Sequence, residues 1–257
     1  MKYGICIKSQ TAVRAEHAES SELVTQMLFG ETCKIIDKKS DWFFIYTDVD
    51  QYLGWIDTKC ILSVSHDEYQ KTNSQSQPVL SSPYGIIKTE KEKILISQGS
   101  TLPFFNGTET QIGQKTFKLT HGSTEKNKAA ADYALDLLGA PYLWGGRTIM
   151  GIDCSALILN IFKIKNFLLP RDASEQVSYG ETVAFMNEAA KGDVCFFNKT
   201  GEKITHTGIL LDNKTIVHAS GEVRIDSIDH QGIYNKELKK YTHHLRVIKR
   251  YKTRDDD

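Results

Sequence analysis

The sequence predicts an α+β protein, with small antiparallel β-barrels at the front and a mixed helix-and-sheet segment behind. Residues 1–62 hold short apolar runs broken by turn residues about every 8–12 positions, the spacing of a small all-β unit. From Thr124 the texture changes to an Ala- and Leu-rich stretch, then to a mainly apolar run over 156–164, and only later to further short strands. Helices followed by strands within one segment read as α+β.

Taken in order, strands are expected at 5–7, 13–16, 22–28, 33–36, 42–46 and 52–56, with turns at Gly30-Glu31, 37–41 and 48–51. Trp42 and Trp55 are expected to fill the core. Residues 63–77 are polar and read as a linker with a short helix around 66–71. Residues 79–120 again show short strands, at 85–88, 93–97 and 115–119, consistent with a second, divergent barrel. The apolar positions of 126–138 fall on one helical face, and Gly139 and Pro141 end it. A short helix is expected over 173–179. Strands follow at 194–197, 204–211 and 215–219, another starts at Ile225, and 241–248 closes the sheet. The tail 252–257 is polar and expected to fray.

The chain has 257 residues, with 32 basic and 32 acidic side chains. That balance does not favour nucleic acid or an anionic membrane as partner. No apolar run approaches the roughly 20 residues needed to span a bilayer. Met1-Lys2-Tyr3-Gly4-Ile5-Cys6 lacks the apolar core of a secretory signal. The expected compartment is the cytoplasm; if a signal has been removed, it is the periplasm or the exterior. The five cysteines, Cys6, Cys33, Cys60, Cys154 and Cys195, are odd in number and scattered, so free thiols are expected.

The chain is organised around residues 139–155, rich in glycine and aromatics and ending in Asp153-Cys154-Ser155. Asp153 is a good N-cap for the apolar run. Cys154 then falls in the first helical turn, where the helix end favours thiolate. From these residues alone a nucleophile and a small buried side chain are equal readings. His206 and His218 lie 12 positions apart across a tight turn. If the turn is odd and centred on Asp212, they face each other with Cβ atoms roughly 4.5–5.5 Å apart. A two-residue Asp212-Asn213 turn would put them on opposite faces.

Cys154 packed on that face would complete a nucleophile, base and orienter: thiolate attack, His206 as acid and base, His218 fixing its tautomer. The backbone N–H of Cys154 and Tyr142 would meet the oxyanion. The same cysteine and histidines could instead ligate zinc, but a fourth ligand is not evident, and no metal or cofactor is expected. His243 and His244 are expected to be solvated; His17, His66, His121 and His230 fall in turns.

Arg14-Ala15-Glu16, Gly30-Glu31 and Tyr52-Leu53-Gly54-Trp55-Ile56 resemble a bacterial SH3-like domain. Pro141-Tyr142-Leu143-Trp144-Gly145-Gly146, Asp153-Cys154-Ser155, Leu169-Pro170-Arg171-Asp172, Gly192-Asp193-Val194-Cys195-Phe196-Phe197, His206-Thr207-Gly208-Ile209 and Val217-His218-Ala219-Ser220 resemble the NlpC/P60 cysteine peptidases. The resemblance implies a papain-like catalytic domain over 125–250, behind SH3-like domains at 1–62 and 78–122.

It is similar to the subgroup of γ-D-glutamyl-L-diamino acid endopeptidases. That implies cleavage between D-Glu and diaminopimelate or Lys in murein tripeptides or tetrapeptides with a free N-terminal L-Ala, by a monomer serving cell-wall recycling. A wall-remodelling endopeptidase acting on polymer is the alternative. By resemblance, Glu16 and Tyr52 bind the terminal amine, with Glu22 as a stand-in for Glu16. Tyr142, Trp144, Asp153 and Ser155 line the pocket, with Arg171 and Asp172 near it. Ala173 stands where the family often carries Ser, leaving no hydroxyl there.

Overall fold

The computed structural model describes residues 2–199, 201 and 203–252. The chain forms two compact units: residues 1–126 with 144–149, and 127–143 with 150–257.

In the first unit, β1 (Lys2–Cys6), β2 (Gln10–Arg14), β3 (Leu23–Leu28), β4 (Thr32–Lys39), β5 (Trp42–Thr47), β6 (Leu53–Asp57) and β7 (Ile61–Val64) form one antiparallel sheet, ordered β3-β2-β6-β5-β4-β1-β7. Its core is aliphatic and thiol: Cys6, Val13, Met27, Cys33, Ile35, Ile45, Ile56 and Ile61. Trp42 and Trp55 are only half-buried, so the expectation that they fill the core fails. Trp55 instead lies at 5.1 Å from the rings of both Phe44 and His17.

The expected linker is a strut. Ser65 caps α1 (His66–Ser74) by accepting from the Glu68 N–H at 3.2 Å. Glu68 does not close a capping box; its carboxylate accepts from the Gly113 N–H at 2.7 Å. Tyr69 is buried, stacks on Tyr3 at 4.1 Å and donates to Asp48 at 2.7 Å. Beyond it, β8 (Tyr84–Lys88), β9 (Lys93–Ser97), β10 (Glu109–Ile112) and β11 (Lys115–His121) form a second antiparallel sheet, ordered β10-β11-β8-β9. It shares a core with the first: Ile5 and Phe29 pack with Leu80, Ile87, Ile96, Leu102, Ile112 and Phe117. Gly30 makes this possible at φ +77°, because a Cβ there would sit 2.1 Å from the Thr101 carbonyl oxygen.

Residues 144–149 also belong to this unit and carry the short strand β12 (Arg147–Thr148). Arg147 is wholly buried. Its guanidinium donates to Glu31 at 2.8 and 3.0 Å and to the Gln26 carbonyl at 2.8 Å, and lies 3.5 Å from Asp50.

The second unit holds α2 (Ala130–Leu135), shorter than the 126–138 expected, then β13 (Gly151–Ile152), α3 (Cys154–Ile164) and α4 (Ala173–Gln176). Every residue of α3 is buried, as an apolar surface all round requires. The sheet contains β14 (Glu181–Val183), β15 (Val194–Asn198), β16 (His206–Leu210), β17 (Thr215–Ser220), β18 (Glu222–Asp229), β19 (Gly232–Asn235) and β20 (Lys240–Arg250). The long β20 pairs with both β15 and β19, so β15 to β20 close into a ring, with β14 appended. Cys195, Phe197, Leu210, Ile216, Ile228, Ile233 and Ile248 form a core cluster there. Of the tail expected to fray, 253–257 lie outside the described residues; Lys252 pairs with Glu181 at 2.8 Å.

Candidate active site

Asp153 sits at the N-cap of α3 with extended backbone, and its carboxylate accepts from the Ala156 N–H at 2.8 Å. Cys154 is therefore the first residue of the helix, 7% exposed. Asp153 also binds Arg171, at 3.0 and 2.5 Å, and Arg171 donates to the Ser155 hydroxyl at 2.8 Å. Asp153, Ser155 and Arg171 thus form one buried cluster beside the thiol. Gln176 ties the Pro170 carbonyl to that of Ser155, at 2.9 and 3.0 Å. Asp172 stands half-buried at the N-cap of α4.

The thiol is not the thiolate that the helix end alone suggests. Burial, then the Asp153 charge, push Cys154 up to about 12, against the backbone N–H groups of Thr207 and Ser155 and the Arg171 charge. Desolvation outweighs the dipole because a half-charge at a helix end is worth about 1 kcal/mol, less than burying an anion costs. The Thr207 bond places the sulfur against β16, the strand that His206 begins.

The β16–β17 turn is odd, as required, but is centred on Asn213 rather than Asp212. The Leu211 N–H bonds the Thr215 carbonyl at 3.0 Å, and the Asp212 carboxylate accepts from the N–H groups of Lys214 and Thr215. Gly208, not His206, therefore faces His218. The two histidines keep one face as diagonal neighbours, within reach of long side chains. His206 Nε2 lies 2.9 Å from His218 Nδ1.

Two groups here escaped sequence reasoning. His243, expected to be solvated, is buried on β20 and stacks on His206 at 4.0 Å and 21°; His244 is exposed as expected. The alternation of β20 could have placed His243 on the inner face with Leu245. Asp226, on β18, accepts from His218 Nε2 at 3.1 Å and from Arg224 at 3.0 and 3.2 Å. A carboxylate eight residues past a histidine carries no sequence signal.

Burial, with His243, His218 and Lys199 nearby, holds His206 well below the usual imidazole range. Burial, then His218 and Lys199, lower His243 to about 4. The Cys154 thiol and the His206 imidazole are thus both neutral at neutral pH. Burial, Cys154 and Asp153 push the Tyr142 phenol up to about 12, against the Arg171 charge, so it stays a donor at neutral pH.

His206, His218 and His243 offer ring nitrogens within 4.8 Å of one another. That set suits no ion as it stands. Imidazole lone pairs lie in the ring plane, so the stacked rings of His206 and His243 cannot aim at one point, and His206 already bonds His218.

The remaining candidates lie in the first unit. Glu16 has a 74% exposed carboxylate, 3.9 Å from His17 Nδ1. Tyr52 is half-buried. Trp144 is exposed, and its indole donates to Glu22 at 2.8 Å, so the Glu16 stand-in is the one engaged by the glycine-rich loop.

Residues 139–245 match the NlpC/P60 family, and residues 13–61 match the bacterial dipeptidyl-peptidase Sh3 domain. The gamma-D-glutamyl-L-lysine dipeptidyl-peptidase of Bacillus subtilis is 26% identical over 239 residues, covering 83% of this chain and 78% of its own. The protein of the same name from Bacillus cereus is 27% identical over 229 residues, covering 78% and 68%. A solved NlpC/P60 family protein from Bacillus cereus superposes with a TM-score of 0.79 over 97% of this chain and 99% of its own, at 20% identity, which establishes the shared fold. The chain accordingly carries an NlpC/P60 domain over residues 139–245, with a bacterial Sh3 domain ahead of it over residues 13–61.

Proposed function

We propose that the chain is a cysteine endopeptidase that cleaves the γ-D-Glu–diamino acid bond of murein peptides bearing a free N-terminal L-Ala, in cell-wall peptide recycling. The observation that carries the chemistry is the buried His206–His218 pair, 2.9 Å between ring nitrogens, with His206 on β16 one residue before Thr207, whose N–H meets the Cys154 sulfur. The substrate class is supported by the names of the Bacillus relatives and by the resemblance already given.

The Cys154 proton passes to His206 as sulfur attacks the γ-carbonyl carbon. The backbone N–H at the helix mouth and the Tyr142 phenol meet the oxyanion. The C–N bond then breaks, and the leaving amine takes the proton from His206. Water, deprotonated by His206, hydrolyses the thioester and restores the thiol. Asp153, Ser155 and Arg171, with Asp172, shape the pocket in the second unit. What the resemblance implies for the first unit is that Trp144 is a further pocket residue and that Glu16 and Tyr52 are the residues for the terminal ammonium, with Glu22 as the alternative carboxylate. A carboxylate that must pair with an ammonium disfavours an acylated amine, because it is then desolvated without compensation.

The test compares L-Ala-γ-D-Glu-L-Lys and its diaminopimelate counterpart with their N-acetylated forms and with intact sacculi. The reading expects release of L-Ala-D-Glu from the free-amine peptides and little from the others. Equal turnover of acylated peptide, or preference for sacculi, would favour the remodelling alternative. Glu16→Ala should raise KM for free-amine peptides more than for acylated ones.

A further inference from the structure

We propose that Asp226 is a positioning residue of this reaction, acting through His218 to set which nitrogen of His206 is left bare for the Cys154 proton. The inference rests on the cysteine-peptidase reading above. It starts from a continuous line of polar atoms, buried from His206 to Asp226 and ending at the half-buried Arg224: His206 Nε2 to His218 Nδ1 at 2.9 Å, His218 Nε2 to Asp226 Oδ2 at 3.1 Å, and Asp226 to Arg224 at 3.0 and 3.2 Å.

Two proton placements satisfy the contact between the imidazoles. Either His206 donates from Nε2 to a bare His218 Nδ1, or His218 donates from Nδ1 to a bare His206 Nε2. Only the first leaves His206 Nδ1 as a base, since a neutral imidazole has one lone pair. In the second placement that lone pair is spent on His218, and the Cys154 proton has nowhere to go.

Asp226 decides between them. A carboxylate is acceptor-only, so the His218 nitrogen facing it must carry a proton. With that proton on Nε2, a neutral His218 presents a bare Nδ1, and the first placement follows. His218 and Arg224 together keep Asp226 ionised. Burial would raise its carboxyl, but the bonds from His218 and Arg224 outweigh it and hold it below the usual range. Adjacent strands supply this geometry without a loop: Arg224 lies directly across from His218 in the β17–β18 register, with Asp226 two positions on.

The contribution is therefore to tautomer and orientation, as with the partners that orient metal-bound or catalytic histidines elsewhere. Asp226 touches no reacting atom.

The test uses the full chain with histidine ring nitrogens labelled with ¹⁵N, read by long-range proton–nitrogen NMR at neutral pH. The wild type should show His218 protonated at Nε2 and bare at Nδ1, and His206 protonated at Nε2. A wild type with His218 protonated at Nδ1 overturns the proposal with no variant needed. Asp226→Leu should lower kcat on the order of 10–100-fold with KM within about twofold, and should populate the Nδ1–H form of His206. Asp226→Asn can turn its carbonyl oxygen toward His218, so it should keep the wild-type tautomer and recover part of kcat. Unchanged kcat in Asp226→Leu, or a loss with unchanged tautomers, contradicts the proposal. Cys154→Ala separates the two levels: turnover surviving that change removes the cysteine reading itself, whatever Asp226 does.

Discussion

His206 and Cys154 are each held neutral by their surroundings, and this fixes the pH behaviour of the site. In the proposed reaction the base form of His206 is the competent one. Its pKa lies well below the ordinary 6.5, so the base form persists as pH falls. The acid limb of kcat should therefore lie below pH 6.5, with full activity kept at pH 6; a limb at or above 6.5 would refute the assignment. The same shifts are linked to stability. An unfolded histidine protonates near 6.5, whereas folded His243 does so near 4. Between those values the unfolded state binds the extra proton, so stability is complete above 6.5 and falls as pH drops toward 4. The slope is about 1.4 kcal/mol per pH unit for this one group. Urea midpoints across that window should fall less steeply for His243→Gln than for wild type. At this scale the sequence was partly readable. The spacing of His206 and His218 pointed to their pairing, and the odd turn kept both on one face. The turn centre was misplaced because the Asp212 side chain caps the Lys214 and Thr215 N–H groups, which moves the apex to Asn213. Asp226 was not readable, because the β17–β18 register that sets it near His218 leaves no mark in the sequence, and His243 was open only to the alternation of β20.

At the level of elements, α3 depends on one residue doing two things. Asp153 caps the helix and holds the buried Arg171. Losing a cap alone costs about 1 kcal/mol. Removing the carboxylate from a buried ion pair costs about 3–5 kcal/mol. Asp153→Ala should therefore destabilise by the larger figure, and adding Arg171→Met should recover part of it; a loss near 1 kcal/mol with no recovery would show that the pair contributes little. The cap was legible in Asp153 ahead of an apolar run. The resemblance put Arg171 near the pocket, but not its ion pair with Asp153, because the two lie 18 residues apart with no pattern joining them. The 63–77 stretch misled for a related reason: its polar composition suggests a linker, yet Tyr69 and Asn73 bond Asp48 and Thr32 and make α1 part of the first unit.

Across the whole molecule, the order of elements along the chain was legible, whereas the long-range charges were not. Arg147 follows two glycines and has no acidic residue beside it in the sequence. Its counter-charges, Glu31 and Asp50, lie about a hundred residues earlier, and all three are buried within the first unit. Arg147→Met should lower the unfolding free energy by about 3–5 kcal/mol, measured by urea titration, since it withdraws a buried cation from two carboxylates. A change below about 1 kcal/mol would mean that the network is compensated elsewhere. The account as a whole stands on the sulfur at the mouth of α3. Its most direct test follows L-Ala-D-Glu released from L-Ala-γ-D-Glu-L-Lys by mass spectrometry, for wild type and for Cys154→Ala at matched folded concentration. Release by the wild type and none by the variant is the expected result; comparable release by both would contradict it.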